Sequence, residues 1–219
     1  MHPAGQFRET SRARLTALVD DVGFAVVIGC GSAGPVIAHA PVLLAGDTVR
    51  FHLSAANSLC PILQKSPAAL VVVTGPDAYV SPDWYGSDNQ VPTWNYLAAE
   101  IAGLVRRMDR EQTATLLDDL AAHFEAKLKP KPPWRRSKLD PGRFEALLGA
   151  IVGFEMTINR LEGVRKLSQN KTDEDLGRLA AHLANRANSG ARELARLMMQ
   201  SPQGRSVAKA EDSGPEAPP

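Results

Sequence analysis

Three stretches of this sequence gather polar and aromatic side chains more densely than solvated loops do. The first is Arg50-Phe-His-Leu-Ser-Ala-Ala-Asn57. Written as a strand, it sends Arg50 and His52 to one face and Phe51 and Leu53 to the other, then delivers Ser54 and Asn57 into the following turn. The second is Tyr79-Val-Ser-Pro-Asp-Trp-Tyr85 followed by Val91-Pro-Thr-Trp-Asn-Tyr96; together they hold two of the three tryptophans and all three tyrosines. The third is Lys166-Leu-Ser-Gln-Asn-Lys171. Cationic, hydroxyl and amide donors bind anions through charge-assisted hydrogen bonds, each contributing about 1.5–3 kcal/mol. Metal chemistry is not indicated, because no pair of His or Cys stands at ligand spacing. His39, between two alanines, reads as structural, and His123 and His182 read as surface residues of helices.

The elements that must position these residues follow from hydrophobic period. Thr10–Val22 predicts a helix, with Leu15, Leu18, Val19 and Val22 on one face. Phe24–Ile28, Val36–Leu44, Thr48–Leu53 and Ala69–Thr74 read as short strands separated by Gly, Pro and Asp, with Ala45-Gly-Asp47 as a hairpin turn. Such close spacing predicts an antiparallel sheet or barrel, because parallel βαβ units need long crossovers. Residues 93–106 are ambiguous: Leu97, Ile101, Leu104 and Val105 fit a helix, whereas Thr93-Trp-Asn-Tyr96 favours a strand. Residues 110–128 predict a helix with Leu117, Leu120, Ala121, Phe124 and Leu128 on one face, then a Pro-rich linker over Lys129–Ser137 and a short helix near Pro141–Leu148. Val152, Phe154, Met156 and Ile158 alternate with polar or small residues as a half-buried strand. Residues 172–199 return to helix, broken near Asn188-Ser-Gly190. From Ser201 onward there are four prolines, one valine and no larger apolar side chain, which reads as disordered.

Composition bounds the function. The 219 residues carry 25 Lys+Arg against 24 Asp+Glu, a formal charge of +1, with 44% hydrophobic and 22% charged residues. That balance is ordinary for a soluble globular protein and argues against a surface that clings to nucleic acid throughout. Cys30 and Cys60 are too few for a zinc cluster or a disulfide framework. No apolar run approaches the roughly 18 residues of a membrane span, and the N-terminus lacks the apolar core of a signal peptide, so the expected location is cytoplasmic. Gly29-Cys-Gly-Ser-Ala-Gly34 matches G-x-G-x-x-G after a strand, but a dinucleotide site needs a helix to begin within the motif. The next residues, Pro35-Val-Ile-Ala-His-Ala-Pro41, cannot start one, so the motif reads as a hairpin loop.

Taken in order, His39-Ala-Pro41, His52–Asn57, Ala78–Tyr85, Val91–Tyr96 and Lys166–Asn170 resemble the PaiB-like, FMN-binding negative transcriptional regulators, a branch of the flavin split-barrel superfamily. The resemblance spans roughly Pro3 to Lys171, and its PTWNY and KLSQN stretches are the specific ones. It implies an α+β fold, a mostly antiparallel split β-barrel of six strands with flanking helices. It further implies a homodimer with FMN at the subunit interface, and it turns residues 93–106 into a strand. For the cofactor, Arg50, Ser54, Asn57 and Lys166 are the expected phosphate donors and His52 shares Arg50's face. Trp84 or Trp94 is the expected wall for the isoalloxazine ring, and Thr93, Asn95, Gln169 and Asn170 are expected at its polar edge. Micromolar affinity needs about −8 kcal/mol net, so several such contacts must act together.

The expected organisation is an FMN-binding split-barrel domain over 1–171 with inserted helices at 110–148, a helical extension at 172–200, and a disordered tail at 201–219. The stretch Lys127–Lys138 holds six basic residues and Trp134. It reads as a solvated linker before a phosphate-binding patch, and residues 172–199 show no helix-turn-helix reader, so direct DNA contact is not visible. The preferred reading is an FMN-binding regulator; next comes a flavin-dependent oxidoreductase using NAD(P)H or a small substrate, then a barrel that has lost its cofactor. The expectation leans against an enzyme; as an enzyme the chain would be an FMN-dependent oxidoreductase.

Overall fold

Period-two burial builds the sheet. The computed structural model describes residues 4–200, so the tail predicted from Ser201 lies outside the described residues. The strands are β1 (Arg8–Glu9), β2 (Phe24–Gly31), β3 (Gly34–Ala45), β4 (Thr48–Ser54), β5 (Ala68–Val80), β6 (Thr93–Arg107) and β7 (Ile151–Lys166). The helices are α1 (Arg12–Val22), α2 (Leu59–Lys65), α3 (Arg110–Ala126), α4 (Pro141–Gly149), α5 (Asp173–Ala184) and α6 (Ser189–Met199). The chain divides into two compact units, one from the described parts of 1–9, 75–98 and 163–219, the other from 10–74 and 99–162.

The second unit holds β2, β3 and β4 whole and the larger parts of β5, β6 and β7. Strand neighbours run β7–β4–β3–β2–β5–β6, and β6 pairs back onto β7, so six strands close on themselves and leave no free edge. The registered pairs β2–β3, β2–β5, β3–β4 and β4–β7 are antiparallel. Val49, Phe51 and Leu53 of β4 alternate inward. Phe51 lies opposite Phe154 in the β4–β7 register, and the two fully buried rings stack with centroids 5.4 Å apart. Burying each such side chain contributes roughly 1.5–3 kcal/mol.

Close approach, more than turn geometry, explains two glycines. The G-x-G-x-x-G stretch is the β2–β3 hairpin, with Gly31 opposite Gly34 and no helix following. Its Gly29 lies under α2, where an added Cβ would come 2.9 Å from Leu59 Cδ1. The short helix α2, not anticipated from the sequence, therefore packs Leu59, Cys60 and Leu63 onto β2. On β6, a Cβ at Gly103 would stand 2.0 Å from the carbonyl oxygen of Thr157 on β7, so only glycine permits the seam that closes the barrel.

Of two expectations left to the structure, one is borne out and one is corrected. Residues 93–106 form the strand that the family resemblance implies, not the helix their spacing also allowed: Asn95, Leu97, Ala99, Ile101, Gly103 and Val105 alternate inward while Leu104 is exposed. Leu97, Ile101 and Val105 are four apart, a spacing that suits a helical face and every second strand position equally. On α3 the buried face is Thr113, Leu116 and Leu120, and Leu128 beyond the helix is exposed. The predicted Leu120 is buried and Phe124 packs against that cluster, while Leu117 and Ala121 are only partly covered.

Replacing Gly103 with alanine is expected to cost about 3 kcal/mol or more by forcing β6 away from a backbone carbonyl. Urea unfolding at fixed slope measures it, and a loss under about 1 kcal/mol would mean the seam is elastic.

Candidate functional site

The PTWNY and KLSQN stretches meet in the first unit, at the start of β6 and the end of β7. Beyond β7 the chain turns at Ser168, a buried residue in the left-handed region at φ 56°. The Ser168 hydroxyl accepts a hydrogen bond from Asn95 Nδ2 at 2.8 Å and pairs with the Tyr85 hydroxyl at 3.0 Å. Three motifs thus converge on one buried oxygen, and burial raises the Tyr85 phenol above its ordinary pKa. Gln169 closes the turn: its Oε1 accepts from Leu167 N at 2.8 Å, and its Nε2 donates to Arg165 O at 2.7 Å and Gln6 O at 2.9 Å.

On this platform Lys166 Nζ donates to Thr93 Oγ1 at 2.7 Å and lies 5.5 Å from the Phe7 ring centre. Burial lowers the Lys166 pKa, since desolvation disfavours the ammonium. An ammonium has three donors, so Lys166 keeps capacity beyond Thr93. Strand alternation separates the neighbours of this pair. Thr93 and Asn95 share one face of β6; Trp94 stands on the other, half-exposed and edge-on to Tyr79 with centroids 6.1 Å apart. Asn170 is exposed. Trp84 is not a free wall: it stacks on His182 at 5.6 Å, with the Arg186 guanidinium 5.8 Å away.

The loop after Tyr85 is pinned by a residue the sequence reading missed. Buried Asp175, in the first turn of α5, accepts from Gly86 N and from Ser87 Oγ, both at 2.7 Å. These bonds, the Ser87 one first, hold its carboxyl below the usual carboxylate range. The legible signal was Thr172-x-x-Asp175, whose Thr172 side chain caps the helix at Asp175 N.

The remaining candidates lie in the second unit, on β4 and the turn after it. Arg50 Nη1 pairs with Asp119 of α3 at 2.8 Å, another partner the sequence did not reveal. His52 Nδ1 is buried with no hydrogen-bond partner, and desolvation lowers its pKa. Ser54 and Asn57 form the turn that starts α2: Asn57 Oδ1 accepts from Leu59 N at 2.9 Å, and Ser54 Oγ accepts from Ala56 N at 3.4 Å. Their remaining O–H and N–H donors are unused by these bonds. Gln169 and Asn95 are instead committed to the fold. Asn95 is fully buried, with its Oδ1 the one acceptor in the node left without a partner.

A closed, mostly antiparallel six-stranded barrel is the fold of flavin-binding split-barrel proteins. The chain aligns with the FAD- and haem-binding protein of Mycobacterium smegmatis at TM-score 0.55 and 20% identity, covering 73% of each chain. With the flavocytochrome Anf3 of Azotobacter vinelandii the TM-score is 0.58 at 15% identity, covering 76% of this chain and 72% of that one. Residues 1–160 match the family described as "Putative FMN-binding domain". The chain belongs to this PaiB-like, FMN-binding family, whose cofactor is FMN. It is 28% identical over 196 residues to the protease synthase and sporulation protein PAI 2 of Bacillus subtilis, covering 88% of this chain and 93% of that protein. Each unit by itself offers donor chemistry that suits an anionic cofactor: Lys166 in the first keeps N–H groups beyond Thr93, and in the second Arg50 keeps N–H groups beyond Asp119 beside a buried unpartnered nitrogen on His52. Among the described residues no helix is long and apolar enough to cross a membrane, and no group of three or more His, Cys, Asp or Glu could hold a metal.

The Asp175 contacts carry a pH signature. Because the folded pKa is depressed, their stability is present above the ordinary carboxylate value of about 3.9 and is lost as pH falls through the folded value. Asp175→Ala is expected to cost about 2 kcal/mol at pH 7 and to flatten the acid limb of the stability curve. Denaturant midpoints between pH 3 and 7 test this, and parallel curves for both proteins would count against the pinning role.

Proposed function

We propose that the chain is an FMN-binding, PaiB-type negative regulator that works as a homodimer in the cytoplasm. Residues 1–171 are taken as its flavin domain, with helices 110–148 inserted and 172–200 as a helical extension. The observation that carries this reading is the Lys166–Thr93 pair, held at 2.7 Å on a platform made by the family's most specific motifs. In this assignment Lys166, Thr93, Trp94 and Asn170 contact the cofactor directly. Arg50, His52, Ser54 and Asn57 form a second set of direct donors. Asn95 and Gln169 act as positioning residues, because Asn95 Nδ2 and both polar atoms of Gln169 are spent on bonds within the protein. FMN, when bound, supplies electron transfer at its isoalloxazine ring. The residues supply donors to its anionic end, and Trp94, 54% exposed, supplies an apolar surface.

Two experiments test the parts. Truncating one charge-assisted donor costs about 1.5–3 kcal/mol, so Lys166→Ala and Arg50→Ala should each weaken FMN binding at least about tenfold in a flavin fluorescence titration. Unchanged affinity in both rejects these donor sets. For regulation, the FMN-loaded dimer should retard DNA from upstream of its own reading frame at low salt, where phosphate contacts are strongest. No retardation, together with bleaching of the bound flavin by NAD(P)H, would replace the regulator with a flavin-dependent oxidoreductase.

A further inference from the structure

We propose that the cleft between α3, α4 and the Pro-rich segment joining them binds a small aromatic anion, at a site separate from the residues assigned to FMN. The cleft is open on one side and measures about 1110 Å³, slightly more than the roughly 300–1,000 Å³ of small-molecule pockets. Its lining is mostly apolar: Ala122 and Ala126 of α3, Phe144 of α4, and Pro133 and Trp134 of the connecting segment. None of the ten residues assigned to FMN lines it.

The segment is a built wall, although its prolines exclude a regular element. Glu125 of α3 accepts hydrogen bonds from Lys131 Nζ and, at 2.8 Å, from Trp134 N. Arg136 pairs with Asp118 at 3.0 Å and lays its guanidinium 4.6 Å from the Phe144 ring centre. The third carboxylate on the lining, Glu145, is bound by Arg110. Every acid around the cleft is therefore already neutralised by a base. Lys129 and Arg135 also line it, and neither has a carboxylate within ion-pair distance among the described residues. The unbalanced charge is positive. An apolar floor, an indole wall and two unmatched cations select a ligand with a flat ring system and one acidic group.

The test uses the FMN-loaded full-length chain and 8-anilinonaphthalene-1-sulfonate, an aromatic sulfonate that fluoresces on leaving water. Saturable binding of one probe per chain is expected, unaffected by excess FMN. Ala122 and Arg135 are exposed, so substitution there leaves the core intact. Ala122→Trp should abolish the saturable phase, and Lys129→Glu with Arg135→Glu should weaken it about tenfold. Trp134→Phe should keep binding but lose most of the probe-dependent quenching of indole emission. Probe affinity unchanged in both Ala122→Trp and the charge-reversed protein overturns the site. So does one-for-one displacement of the probe by FMN, which would make the cleft a flavin site.

Discussion

The Ser168 hydroxyl is the contact on which the organisation of the first unit depends. It is buried, in a turn with left-handed backbone, and it joins Tyr85 from the 78–85 stretch to Asn95 from PTWNY. A buried hydroxyl has few partners available, so satisfying it fixes where both stretches lie. One residue pair away, the same arrangement sets Lys166 against Thr93. The short polar words that distinguish this family are thus largely a scaffold. Only some of their letters face outward with donors to spare.

The barrel obeys a different constraint, which is closeness of backbone. Gly103 lets β6 lie against the Thr157 carbonyl, and Gly29 lets α2 settle on β2. Where dispersion and hydrophobic burial hold a core, an added methyl in such a place has nowhere to go. Charge acts at the margin of this unit, where Arg50 reaches from the sheet to Asp119 on α3 with its side chain about one-fifth exposed. A partly buried pair of that kind orients the helix more than it stabilises it.

Much of the fold was legible because strand alternation and turn residues act locally. The β2–β3 hairpin, the Ala45–Asp47 turn and the alternating β7 follow directly from period and punctuation. The helix α2 escaped because seven residues with a proline at the third position carry no clear period, and its burial depends on a glycine thirty residues earlier. Residues 93–106 stayed ambiguous by period because a spacing of four satisfies both, and the family resemblance decided for the strand. The site was legible as composition but not as geometry. A sequence shows that Asn95, Trp94 and Thr93 adjoin, while only the strand shows that Trp94 faces away from the other two. The partners Asp119 and Asp175 lie 69 and about 90 positions from the residues they hold, beyond the reach of any local pattern.

Comparing FMN titrations of the wild-type chain and Ser168→Ala tests most directly whether the Ser168 node positions the groups proposed to hold FMN. Stoichiometric FMN binding is expected from the wild type, and from the variant a barrel that still unfolds cooperatively but binds FMN about tenfold more weakly. A wild type that takes up no FMN, or a variant of equal affinity, would contradict it.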